Sequence, residues 1–515
     1  MKRLIVCFDG TWNNPEQEDN GAPAPTNVFR ISNAIADVAG NGVRQVKYYH
    51  PGVGGEHKGI AARVLGGAFG AGISRHIQSA YHWLASNYAE GDEIYLYGFS
   101  RGAFTVRSLG GMLSRGLLDL SGLEAAEAWK RVKKAYHEGY RKKDATIDDW
   151  ADADWEFFHN RGAAPIHFIG VWDTVGALGI PDDLEVLNLL DDKDAWQFHD
   201  TSLGDHVAHA RHAMAIDEMR ASFTVTRWSN ARQHHDAVEQ WFPGVHSDVG
   251  GGYADADLSN EALAWMITES RAVGLEFRDG VMEMIHGNPL GKMHNSYKGA
   301  FKVLRSRPRN IPAMINDNQD QFHASALRRQ QASPIDYPAY HPTRLLEIGE
   351  SCTVDVYADR HWNSTAVFLE EGCEYTFSAQ GEWLDCKDAC DWKGTENDKF
   401  TAGDIARAVS GIWGKAENMW RHLTHNKSTD FIMTKRIEAF PWFVMVGAIA
   451  NDGGAEQAAH PDGSPSPHQY VALPDYETTP LRVGASGYLY CFPNDVWSLY
   501  GNNHGSIQLT ITRVR

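Results

Sequence analysis

The chain is predicted to hold an α/β unit, a parallel sheet with helices on both faces, followed by an all-β sandwich. Three observations predict this. Over the first half of the 515 residues, short apolar runs alternate with helical stretches, as in parallel sheets joined by crossover helices. From residue 351 the apolar pattern turns to period two between turn residues, as in antiparallel strands. The length allows two to four domains at ~150 residues each, and 43% apolar residues suffice for sizeable cores.

The elements follow in order. LIVCF (4–8) is a first buried strand. Lys2 and Arg3 before it mimic a signal peptide, but the apolar run is short and ends at Asp9. Synthesis in the cytoplasm without a signal peptide is therefore expected. No run of ~18 apolar residues occurs, so no transmembrane helix is expected. NVFRISNAIADVA is a helix with Asn27 near its start, and QVKYYHPGVGG a strand running into a glycine loop. Residues 70–89 have helical periodicity, EIYLYGFS (93–100) is a strand, and RGAFTVRSLGGMLSRGLL a helix. Residues 121–165 form a charged, Trp-rich helical insertion. IHFIGVWDTVGALG (166–179) and EQWFPGVHSDVGGGY (239–253) are strand-to-loop junctions. LSNEALAWMITESRAVG is a helix ending at Gly274, with Ser259 or Asn260 as N-cap. Residues 275–340 form a lid or the edge of the first domain, and PIDYPAYHP is a linker. Domains are expected over 1–340 and 345–515, with a long polar insertion at 386–430 of the second.

Charge narrows the function. Lys and Arg number 48 against 66 Asp and Glu, a net −18, which argues against a nucleic-acid binder. The six cysteines show no paired metal spacing. Cys386 and Cys390 read as free thiols or a local bridge rather than a zinc site.

Gly98-Phe99-Ser100-Arg101-Gly102 fits G-x-S-x-G between an apolar strand and a helix. In the α/β-hydrolase fold that context strains the serine on a tight turn and exposes its Oγ at the carboxyl edge of the sheet. Ser100 is the expected nucleophile. The acid and base follow in the order Asp, His. Asp173 ends a parallel strand and lies on the same edge; Asp182 and Asp183 are weaker alternatives. His246 sits in a loop with four glycines in nine positions (244–252) and is the expected general base, with His234 and His235 as fallbacks. Asp248 is expected to orient the imidazole, bind a cation or cap the turn. The backbone N–H of Arg101, with that of Gly10 or Thr11, would catch the oxyanion. Catalysis would need no cofactor. Apolar stretches in 110–130 and 262–290 would either cover the site as a lid or pack on the sheet.

FDGTWNN (8–14), GFSRGAF (98–104), VWDTVGALG (171–179) and FPGVHSDVGGGY (242–253) resemble the α/β-hydrolase domain of the type VI secretion phospholipase effectors of the first class. The resemblance covers roughly residues 1–340. It implies a Ser-His-Asp esterase acting on phospholipid acyl esters, with Ser100, Asp173 and His246 as the triad. It also implies a secretion-machine partner, release into a target cell's periplasm and an immunity protein.

The tail, NDVWSLYGNNHG (494–505) and its last strand, with SAQGEWLD (378–385), resembles the calcium-dependent galactose-binding lectins of bacteria. That resemblance implies Ca²⁺ on Asp495, Asn502 and Asn503, with the Leu499 and Asp385 carbonyls as further ligands. Asp495 and Asn502 would also meet sugar hydroxyls. The chain departs from the lectins over 386–440, where a longer insertion leaves their sugar-binding His and Gln unaligned. Two other functions fit the same residues: a carbohydrate esterase acting on a glycan held by the lectin-like domain, and an inactive binding protein.

Overall fold

The computed structural model describes residues 1–10, 13, 16–52, 68–142, 144–176, 201–298, 305–332, 339–385, 388–395, 435–451 and 465–515. The chain divides into two units. The first takes Met1–Arg309, Gln319–Tyr340 and Ala458–Pro465; the second takes Asn310–Asn318, His341–Gln457 and Ser466–Arg515.

In the first unit, β1 (Arg3–Phe8), β2 (Gln45–His50), β3 (Glu93–Phe99), β4 (Ile166–Trp172), β5 (Val207–Ala215) and β6 (Ala237–Phe242) form one sheet. Their order is β2-β1-β3-β4-β5-β6, with every pair parallel. The winding reverses between β1 and β3, the switch point past whose carboxyl ends open α/β sheets bind ligands. β5 escaped the sequence reading because VAHARHAMA carries no branched or aromatic run to mark it as a strand.

Side chains alternate between the sheet's faces with period two. Leu4, Val6, Phe8, Ile94 and Leu96 pack on one side against α2 (Ala68–Asn87) and α3 (Arg101–Leu113). Ile5, Cys7, Tyr95, Tyr97 and Phe99 pack on the other against α1 (Asn27–Ala34) and a long helix at Asp257–Ala272. This is the α/β-hydrolase-like layering the sequence predicts. The stretch 121–165 contributes α4 (Ala125–Lys134) and buries Trp150 and Trp155.

One expectation is corrected. The long helix starts earlier, with Ala256 at its N-cap. Ser259 and Asn260 lie inside it, where Ser259 Oγ donates to the Ala256 carbonyl and the Asn260 amide bridges Arg30 and the His286 carbonyl. Leu109, Met112, Leu113, Ala262, Leu263, Met266 and Ile267, from the apolar stretches at 110–130 and 262–290 and the helix before them, are buried in the cores on the sheet's two faces, the packing alternative for these residues. Among the described residues, no helix is long and apolar enough to cross a membrane.

The second unit has two antiparallel sheets around one core. Asn363–Leu369, Gly487–Pro493, Met445–Asn451 and Gln469–Ala472 pair in that order. Asp388–Cys390, Glu374–Asp385, Asn503–Arg513 and Ser351–Tyr357 form the other sheet. Met445, Ile449, Leu489 and Cys491 of the first meet Val356, Phe377, Trp383, Ile507 and Leu509 of the second. Most of the polar insertion, and Cys386, lie outside the described residues.

Candidate active site

The turn after β3 carries Ser100 at φ 57°, ψ −124°, a conformation that costs a non-glycine residue about 1–3 kcal/mol. Its neighbours must be small. A Cβ on Gly98 would stand 2.7 Å from the Ala103 backbone, and one on Gly102 would overlap the Phe8 and Asp9 carbonyls. The Ser100 N–H donates to the Trp172 carbonyl at 3.0 Å, tying the turn to the end of β4. Arg101 opens α3, at a position where helix amides have no intrahelical acceptor.

Asp173 follows β4 at φ 39° and is wholly buried. His246 opens the short helix α5 (His246–Gly250) just past β6. Its Nδ1 meets Asp173 Oδ2 at 2.5 Å. The His246 ring lies 4.5 Å from the Phe99 ring and 5.0 Å from that of Phe223, measured between centroids. Its amide donates to Glu218 Oε2 at 3.2 Å. Nε2 is buried and has no hydrogen-bond partner among the described residues, Ser100 included. Such bonds are often long in unliganded enzymes and tighten with substrate.

Two further groups hold this pair, and the sequence reading missed both. Arg309 places Nη1 2.5 Å from Asp173 Oδ1 and Nη2 2.9 Å from Oδ2. It also donates to the Ala215 and Phe223 carbonyls, each at 2.6 Å. The Ala215 amide completes the carboxylate at 2.9 Å. Glu218, buried, pairs with Arg220 at 2.8 Å. Arg309 lies 136 residues from Asp173 in a stretch with several arginines, so no local signal marks it.

Electrostatics follow from these contacts. Burial alone would push the Asp173 carboxyl up, but the Arg309 charge and the bonds from His246 and Arg309 hold it well below the usual range. Burial pushes His246 down, and the opposing Asp173 bond and charge do not fully restore it. The depressed imidazole favours its neutral form, the form a general base requires.

The loop after β1 departs from expectation. The Gly10 amide donates to Asp9 Oδ1 at 2.8 Å, so it is already engaged and does not stand ready for an oxyanion. Gly10 instead permits close approach: a Cβ there would lie 3.3 Å from Ser100 Cβ. Asp9 also accepts from Thr26 Oγ1 at 2.7 Å and Tyr49 Oη at 2.8 Å, and burial raises its carboxyl to about 6. Thr11, Asp182 and Asp183 lie outside the described residues. Asp248 caps the turn, accepting the Val245 amide at 3.0 Å, and pairs with His294 Nδ1 at 2.6 Å. His234 bonds the carbonyl of Val207 at the amino edge of β5, the opposite edge of the sheet.

In the second unit, Asp495 Oδ2 accepts from Asn503 Nδ2 at 3.0 Å and Asp385 Oδ1 from Asn502 Nδ2 at 2.8 Å. The Oδ1 atoms of Asn502 and Asn503 are buried without a hydrogen-bond partner among the described residues. Burial raises Asp495 to about 7, and the Asp385 charge adds to that. Orphaned amide oxygens beside two carboxyls are a donor set that fits a hard cation. Among the described residues, no three His, Cys, Asp or Glu side chains converge as metal ligands.

Residues 2–269 match the family described as T6SS, Phospholipase effector Tle1-like, catalytic domain. The uncharacterized protein YEL023C of Saccharomyces cerevisiae is 32% identical over 237 residues, 43% of this chain and 32% of that protein. The chain thus spans about a third of the length of that curated relative. Two solved structures are also similar. An uncharacterized protein from Pseudomonas aeruginosa has TM-score 0.36 and 19% identity, covering 56% of this chain and 49% of that one. The Tle1 effector, solved bound to the VgrG spike of the type 6 secretion system, has TM-score 0.27 and 18% identity, covering 49% of this chain and 51% of that one.

Proposed function

The chain belongs to the Tle1-like phospholipase effectors of the type VI secretion system through its catalytic domain, and on that premise we propose that Ser100, His246 and Asp173 act as a triad cleaving phospholipid acyl esters. The observation that carries the proposal is the buried His246–Asp173 pair, with Nε2 unengaged, in one unit with a serine strained at a strand-to-helix turn. His246 Nε2 takes the Ser100 proton while Oγ attacks the acyl carbonyl. The N–H of Arg101, at the start of α3, stabilises the oxyanion. Collapse passes the His246 proton to the departing lysophospholipid oxygen and leaves an acyl-serine. Water, deprotonated by His246, then frees the fatty acid.

As a secreted effector the protein would ride a component of the secretion machine and act on a recipient cell's membrane from its periplasm. The producing cell would then need an immunity protein. In the lectin-like second unit, Asp495, Asn502 and Asn503, with Asp385, would hold Ca²⁺. The ion would supply a hard Lewis-acidic centre for oxygen ligands such as sugar hydroxyls.

The test is hydrolysis of a phospholipid panel and of acetylated sugar esters by wild type and Ser100→Ala, with and without calcium. Fatty-acid release that vanishes in the variant supports the proposal. Acetate release alone would make the protein a glycan esterase. No release from either substrate would leave it a binding protein.

A further inference from the structure

We propose that Arg309 is a positioning residue of this site. Its planar fork fixes the Asp173 carboxylate against His246 Nδ1, and its charge governs the pH at which the His246–Asp173 pair takes up a proton. The inference rests on the triad reading above and adds to it a fourth residue, recruited from far along the chain.

Geometry carries the first half. A carboxylate can rotate about its terminal bond, and here both oxygens are claimed. Oδ1 takes the Ala215 amide and Arg309 Nη1, and Oδ2 takes Arg309 Nη2 and His246 Nδ1. The guanidinium is itself clamped by the carbonyls of Ala215 and Phe223. It therefore presents one orientation, and the bidentate match transmits that orientation to Asp173. A lysine has no fork and cannot do so.

Charge carries the second half. The pair shares one proton-binding equilibrium, so its acid limb belongs to both groups together. With Arg309 present, the site containing Asp173⁻ and neutral His246 has no net charge from these three groups. Without it the same pair is an uncompensated buried anion. Such a pair binds a proton at higher pH, whichever of the two residues carries it. Other charged or titratable groups packed nearby are Glu218 with Arg220, and His212 with Glu239 and Arg227 behind the Asp173 loop. All of them remain in an Arg309 variant.

The experiment measures kcat, KM and the pH dependence of kcat/KM on phospholipid vesicles for wild type, Arg309→Lys, Arg309→Met and His246→Ala. The rate of Ser100 labelling by a fluorophosphonate is a second readout. Arg309→Met should move the acid limb up by about one pH unit. Arg309→Lys, which keeps the charge, should leave the limb in place and lower kcat roughly tenfold at nearly unchanged KM. An unshifted limb in a folded Arg309→Met protein would overturn the charge argument. Full kcat in Arg309→Lys would overturn the positioning argument. If Arg309→Met does not fold, Arg309→Lys decides alone: a lowered kcat on an unmoved limb supports the proposal, and wild-type kcat sinks it. Full activity in His246→Ala would instead remove the triad reading, and so separates that failure from this one.

Discussion

His212 Nε2 accepts the backbone N–H of Thr174 at 3.1 Å, one residue past Asp173. That bond makes Nδ1 the protonated nitrogen, facing Glu239 Oε1 at 3.2 Å. Glu239 in turn pairs with Arg227 at 2.9 Å. A buried chain of polar groups thus pins the loop that carries Asp173 at its positive φ of 39°.

Replacing His212 by Ala leaves the Thr174 amide unpaired in the interior, at a cost of about 1–3 kcal/mol. The melting temperature and kcat should both fall. The pH dependence has a definite sign. Burial depresses the His212 pKa in the fold, so its contribution is complete above the unfolded value of ~6.5 and is lost as the pH falls below it. The melting-temperature difference between wild type and His212→Ala should therefore shrink from neutral toward acid pH. A constant difference would count against this account.

Ser100→Gly should stabilise the fold while abolishing hydrolysis. Glycine adopts φ 57°, ψ −124° at little cost, so relief of about 1 kcal/mol is expected. Scanning calorimetry of Ser100→Gly beside Ser100→Ala reads it directly. Only the glycine variant should melt higher, by ~2 °C.

Gly250→Ala tests the contact between the histidine helix and β3. A Cβ there would overlap the Phe99 ring, and that ring packs on His246. Overpacking of this kind costs about 1–3 kcal/mol and should displace the imidazole. We expect a folded protein with kcat down roughly tenfold or more. Wild-type turnover would show that the ring has room to move.

On the calcium reading proposed for the second unit, Ca²⁺ binding should weaken as the pH falls through about 7, the value to which burial raises Asp495. The ion needs the carboxylate and must displace its proton. Without the ion, the raised pKa destabilises the unit above the ordinary carboxyl value, so the apo protein gains stability as pH falls from 7 toward it. Calorimetric titration of the full chain with Ca²⁺ on both sides of neutrality checks this. Asp495→Asn should remove the calcium-induced rise in melting temperature. Equal affinity at both pH values would be the contrary result.

The local patterns carried a large part of this. β1, β3 and β4, the helix after Ser100 and the glycines around it were legible, because burial on both faces demands apolar runs and a tight turn demands small neighbours. That Asp173 and His246 lie just past parallel strands was legible, because such a place follows from chain order. The amide of Gly10 was misjudged, since only the folded loop shows that Asp9 has already claimed it. β5 was missed because, apart from Val207 and Met214, its buried positions are filled by alanines, which mark no strand, and by Arg211 and His212, whose burial depends on partners elsewhere.

The sequence by itself determined most of the strand-and-helix order, the serine turn and the places of Asp173 and His246 just past parallel strands. These rest on interactions between residues near one another in the chain. Tertiary structure decided which groups complete them. Arg309 reaches Asp173 across 136 residues, and Glu218 meets the His246 amide across 28. A buried charge selects its partner by proximity in space, and proximity in space exists only after the strands have paired.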